Sequence, residues 1–222
     1  MQKIGFCDRY GLTQTVLNGT KTMTRRLEKA LERTVEDYKK KYSEEPVIKY
    51  QEWVKEGNFL RVHCEHALLS FQTRYKLGEV VAVAQAYKDI GEYNPDSYED
   101  VMLDQGTICE SSHPYSHLMR SGGWDNKMFV RPDLMPHQIQ ITGVRIERLK
   151  AISYDDCLKE GVFDSNVGYN RFGFRDKHCD HNWYYPTPRA AFAALINRPG
   201  VGRKGLWESN PWVVVYEFKL VK

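Results

Sequence analysis

The chain has 222 residues, 41% hydrophobic and 27% charged, with a formal net charge of +3 at neutral pH. This balance excludes a disordered chain, and no apolar run reaches the roughly 18 residues of a membrane-spanning helix. The start Met1-Gln2-Lys3-Ile4-Gly5 has no apolar signal core, so the expected setting is the cytoplasm, with no membrane partner. Five cysteines (Cys7, Cys64, Cys109, Cys157 and Cys179) are odd in number and contain no Cys-x-x-Cys pair, which argues for reduced thiols rather than a disulfide framework or zinc ribbon.

Arg9 to Asn18 reads as a short helix with Leu12, Val16 and Leu17 on one face, stopped at Gly19. Thr20 to Arg26, rich in Thr and basic residues, suits a turn running into a short strand. Leu27, Leu31, Val35 and Tyr38 recur at helical spacing through Tyr42, a helix expected as a surface insertion. Residues 43–71 show no consistent period. Glu79 to Tyr87, with its Val-Val-Ala-Val-Ala run, predicts a buried central strand. Lys88 to Asp125 is a long Gly-, Asp-, Ser- and Tyr-rich excursion of the kind that lines binding sites.

Met128 to Arg131 and Gln138 to Leu149 are strand signals, and a phase slip at Gly143 predicts a bulge in the second. Ser153 with Asp156 resembles a capping box that opens a short helix ending at Glu160-Gly161. A second excursion, Val162 to Tyr185, leads to a helix with Thr187 as N-cap and Pro188 at its first position; Trp212 to Leu220 is a closing strand. The order predicts an α+β fold, with no repeated β-α units and no phosphate-loop glycine pattern.

The most informative stretch is Gly19-Thr20-Lys21-Thr22-Met23-Thr24-Arg25-Arg26, which sets a lysine at a turn and follows it with hydroxyls and two guanidinium groups. Such a cluster can hold a phosphate through Lys21, Thr22, Arg25 and Arg26, or activate a hydroxyl, because a desolvated lysine loses basicity and becomes a general base. The plainer alternative is a solvated basic strand edge. In a regular strand Lys21 and Thr24 point to opposite faces, so they share a site only if Lys21 belongs to the turn. Glu160, at a helix end, sits where the helix dipole disfavours a carboxylate.

His63-Cys64-Glu65-His66 and His178-Cys179-Asp180-His181 have metal-ligand residue types without a recurrent zinc spacing, and no metal or cofactor is expected. The many aromatics in and beside the excursions, among them Trp124, Phe129, Tyr169, Phe172, Phe174 and Tyr184, are expected to pack under the loops, with one or two free to stack on a base.

Five stretches in this order, Gly19 to Arg26, Tyr75 to Val80, Arg131 to Leu149, Ile152 to Gly161 and Asn210 to Val213, resemble an ASCH-domain protein of the larger type met in bacterial and prophage genomes. The resemblance implies a PUA-like mixed β-barrel flanked by short helices, a single domain over residues 1–222 with insertions at about 27–71, 88–125 and 162–185. It also implies a role in handling RNA or a modified nucleoside or nucleotide. A compact branch of that family deacylates N(4)-acetylcytidine with a Lys, a Thr and a Glu, and Lys21, Thr24 and Glu160 match those positions. The first expectation is thus a nucleic-acid or nucleotide-binding protein with a basic cleft at Lys21; the alternative is an amidohydrolase working through Lys21, Thr24 and Glu160.

Overall fold

The computed structural model describes residues 1–56, 58–93, 114–166, 168–169, 171–179 and 182–221. The fold is α+β, but among the described residues the strands close no β-barrel of the kind expected; the chain divides into two compact units, one of Met1–Phe6 with Val80–Gln138 and the other of Cys7–Glu79 with Ile139–Val221. Residues 94–113, most of the first expected excursion and Cys109 with it, lie outside the described residues. No helix among the described residues is long and apolar enough to cross a membrane.

In the first unit β1 (Gln2–Ile4) runs parallel to β6 (Val80–Val83), Gln2 opposite Val81 and Ile4 opposite Val83. The alternate residues Ala82 and Ala84 face a cluster of Tyr87, Ile90, Tyr93, Leu118, Val130 and Met135, to which α3 (Ser116–Met119) contributes Leu118. The strand expected at Met128–Arg131 is instead a 3-10 turn over Lys127–Phe129. The reason is local: the Asn126 side chain accepts from Met128 N at 2.9 Å, and Lys3 Nζ donates to the Met128 and Val130 carbonyls at 2.7 Å each. An Asx turn and a lysine therefore take groups that a ladder would need.

The second unit holds α1 (Leu12–Leu17) and an antiparallel sheet in which β11 (Trp212–Leu220) lies between β2 (Met23–Arg26) and β7 (Gln138–Arg148). Val213, Val214, Val215 and Tyr216 are all buried, as a strand covered on both faces requires. Glu217 pairs with Gly143 and Phe218 with Ile141, so Thr142 is the extra residue of a bulge beside the glycine where the pattern slipped.

Residues 27–71 form α2 (Lys29–Tyr42) and a meander of β3 (Ile48–Val54), β4 (Phe59–Cys64) and β5 (Leu68–Phe71). Leu31, Val35 and Tyr38 are buried on α2, which packs against β5, while Leu60, Val62, Leu69 and Phe71 form the inward face of the meander. Aromatic and apolar side chains on its outer face, Tyr50 and Leu68 among them, break the polar half of the alternation. That explains why the sequence shows no consistent period there.

Between α4 (Tyr154–Lys159) and α5 (Pro188–Ile196) lies a small antiparallel sheet of β8 (Phe163–Asp164), β9 (Phe172–Phe174) and β10 (Trp183–Tyr185), and α6 (Leu206–Ser209) follows α5. Both predicted caps form: Ser153 Oγ accepts from Asp156 N, and Thr187 Oγ1 accepts from Ala190 N, each at 3.1 Å, with Pro188 at the first position. Thr187→Ala is expected to cost about 1 kcal/mol, read as a lower denaturant midpoint at unchanged slope.

Candidate functional site

Lys21 reaches its place through a chain reversal that the sequence makes at α1. Gly19 takes φ +76°, and Lys21 N then donates to Thr15 O at 2.8 Å. Thr22 is held by its backbone on both sides, its N–H on the Lys159 carbonyl at the end of α4 and its carbonyl accepting from Phe218 N of β11. The turn thus delivers Lys21 to the C-terminal end of α4 before β2 begins.

Glu160 caps α4 there, followed by Gly161 at φ +101°. A Cβ on Gly161 would lie 2.9 Å from Leu12 Cδ2 and 3.6 Å from Lys21 Cδ, so both the backbone conformation and the close approach call for glycine. Lys21 is 2% exposed and Glu160 5%. Lys21 Nζ donates to Glu160 Oε2 at 2.7 Å and to the Glu160 carbonyl at 2.6 Å. The lysine thus compensates both the carboxylate and the helix end that disfavours it.

Arg25 continues the network. Its Nη1 meets Glu160 Oε1 at 3.1 Å, its Nε and Nη2 meet Glu147 Oε1 at 2.8 and 2.7 Å, and Nη2 meets Asp156 Oδ2 at 2.8 Å. Arg145 Nη2 shares Asp156 Oδ2 at 2.8 Å, and Arg145 also pairs with Glu147 and Glu217. Among the described residues Lys21, Arg25 and Arg145 thus meet Glu160, Glu147, Asp156 and Glu217, and the charge of Arg26 acts on both Lys21 and Glu160. Such balance is what lets charges stay buried.

Burial pushes the Lys21 ammonium below the ordinary lysine value; Glu160 opposes that shift, and Arg26 and Arg25 reinforce it. Burial would lower Arg25 too, but Glu160 and Glu147 outweigh it and leave it raised. Burial lowers Arg26, which lies near Tyr75, Arg74 and Tyr216. Tyr216 Oη donates a hydrogen bond to Glu28 and accepts one from Tyr75 N at 3.3 Å.

Of the residues expected from the sequence, Lys21, Glu160 and Arg25 come together, with Arg26 within electrostatic reach. Thr24 is 7% exposed, opposite Tyr216 on β11, on the face of β2 away from Arg25. Among the described residues no side-chain hydrogen bond engages its hydroxyl. The phosphate-holding role expected of Arg25 meets a side chain that is fully buried, with its donors on three carboxylates. A phosphate would have to displace one of them.

Sequence reasoning missed Arg145, Glu147 and Asp156. Their signals were present: Asp156 and Glu160 are one helical turn apart on α4, and Arg145 and Glu147 share a face of β7.

Compared with protein-family models, curated proteins and solved structures, the chain matches none.

The other expected features have other partners. His63 stacks on Tyr50 with ring centroids 3.9 Å apart, Cys64 is buried, and His66 pairs with Glu44 at 2.7 Å. Asp180 and His181 lie outside the described residues. Cys157, fully buried with its thiol pushed up to about 12 by burial, packs as an apolar group. Phe172 and Phe174 are buried, whereas Phe129 (69%) and Tyr169 (84%) are largely exposed, so the loop aromatics do split between packing and display.

Proposed function

We propose that this chain is an amidohydrolase that removes the acyl group from N(4)-acetylcytidine or a closely related acylated nucleoside. The observation that carries this reading is the buried Lys21–Glu160 pair with Arg25 and Arg26 beside it. Water exclusion and two like charges make Lys21 easier to deprotonate than an ordinary lysine, as a general base needs, while Glu160 opposes that shift and fixes the direction of the amine. The nucleophile's part falls to Thr24 through the resemblance alone: its hydroxyl is buried but lies on the face of β2 away from Arg25, and it has to come within reach of Lys21 for the reaction.

In the proposed reaction the Thr24 oxygen attacks the amide carbon while its proton passes to the Lys21 amine. The C–N bond then breaks, the departing cytidine amine takes that proton, and water cleaves the acyl–Thr24 ester to return the free hydroxyl. The resemblance to ASCH proteins supports the same reading. We assign α1 and the β2–β11–β7 sheet to the helix-flanked wall of a PUA-like fold. The carboxylate partners of Arg25 favour hydrolysis over the simple phosphate-binding cleft.

The test is incubation of the purified protein with N(4)-acetylcytidine, following cytidine by chromatography, beside Thr24→Ala and Thr24→Ser. Release is expected from the wild type, with most of it lost in Thr24→Ala and a part kept in Thr24→Ser. If the wild type releases no cytidine while it binds RNA with a steep salt dependence, the hydrolase reading is wrong and the nucleic-acid-binding one takes its place.

A further inference from the structure

We infer that Arg25 is a positioning residue: clamped by Glu147 and Asp156, it holds one oxygen of Glu160 so that the other is presented to Lys21. The inference rests on the hydrolase reading for its consequence, but its geometry stands apart from it.

A carboxylate at a helix end, joined to its ring of partners by three rotatable bonds, has many directions open to it. Here both of its oxygens are spoken for, Oε1 by Arg25 at 3.1 Å and Oε2 by Lys21 at 2.7 Å. Arg25 can fix that direction only if it is itself fixed, and it is. Nε and Nη2 meet Glu147 from β7, Nη2 also meets Asp156 from α4, Nη1 contacts Met23 Sδ at 3.2 Å, and the guanidinium lies 6.0 Å from the Phe192 ring centre of α5. Asp156 is in turn tied to Arg145 at 2.8 Å.

A planar fork reaches Glu147, Asp156 and Glu160 from three separate nitrogens, whereas an ammonium offers its three donors from a single atom. The result is a relay of fixed directions from β7 and α4, through β2, to the lysine. Among the described residues, charged groups that act on Lys21 include Glu160 from the end of α4 and Arg25 and Arg26 from β2, while α1 presents Leu12 and Thr15 beside Gly161. Among these, Glu160 is the one that favours a charged lysine, so its orientation governs how readily Lys21 gives up its proton.

Two variants loosen the clamp, and Arg25→Lys does so at constant charge. Arg25→Lys keeps the cation and removes the fork; Asp156→Asn keeps the shape of the acid and removes half of the clamp. In protein carrying 15N-labelled lysine, with the Lys21 signal assigned by its loss in Lys21→Arg, the titration midpoint of Lys21 is expected to move downward in both variants, because a released Glu160 stabilises the ammonium less. Hydrolysis of N(4)-acetylcytidine is expected to fall on the order of 100-fold in kcat, with KM changed little, as misplacement of a catalytic group does.

Glu147→Gln replaces either variant that does not fold, as judged by circular dichroism. A Lys21 midpoint that stays at the wild-type value in the folded variants overturns the inference. If the wild type does not turn over acetylcytidine, the hydrolase reading fails while the Lys21 midpoint still tests the clamp.

Discussion

Lys21→Ala is expected to reduce hydrolysis of N(4)-acetylcytidine by about 100- to 10,000-fold, the range spanned by a positioned general base. The loss should fall on kcat, because a lysine paired to Glu160 at 2.7 Å and 2% exposed has little surface with which to bind ground-state substrate. Lys21→Met, which fills the vacated space with an unbranched apolar chain, separates this loss from any loosening of α1 against Gly161. Steady-state rates of cytidine release by the two variants and the wild type check it; a Lys21→Met protein with wild-type kcat would remove the lysine from the chemistry.

Glu160→Ala is expected to be the most destabilising change in the site. It takes away the carboxylate shared by Lys21 and Arg25 and leaves two buried cations short of a partner. Breaking one side of a buried pair costs about 3–5 kcal/mol, and for a chain of this size that lowers the melting temperature on the order of 10 °C. Glu160→Gln, which keeps one acceptor oxygen for one of the two cations, should lose less.

The deficit in Glu160→Ala also has a pH signature. Burial already holds Lys21 below its ordinary value, and removing Glu160 removes the contribution that opposes this. The unfolded state then binds more protons than the folded state between the lowered value and the ordinary lysine range, so the stability of Glu160→Ala rises with pH across that window. Melting curves at stepwise increasing pH would show the gap to wild type narrowing. A gap that stays constant would mean that Lys21 does not feel the loss.

Several elements were legible in the sequence because their causes are local. The Ser153 and Thr187 caps close hydrogen bonds onto residues three positions ahead, and both helices start where those residues stand. The closing strand Trp212–Leu220 and the bulge beside Gly143 follow from β-branched runs and a broken alternation. The helix expected from Leu27 is shorter at its start, beginning at Lys29, but its apolar stripe of Leu31, Val35 and Tyr38 is the buried one. Where local chemistry and propensity conflict, as at Asn126 and Met128, the side-chain turn prevails over the strand pattern.

By itself, then, the sequence determined the α+β class, the capped helices, the closing strand and the residue types gathered between Gly19 and Arg26. Only the tertiary structure decided which of those residues meet. Lys21 and Glu160 stand 139 positions apart in the chain, and Arg25 is 122 from Glu147 and 131 from Asp156. No periodicity within one segment can report such pairings. They are selected when burial strips water from the charges and each must find its partner within the protein, which is why a stretch that reads as a basic strand edge becomes, when folded, a neutralised and buried network.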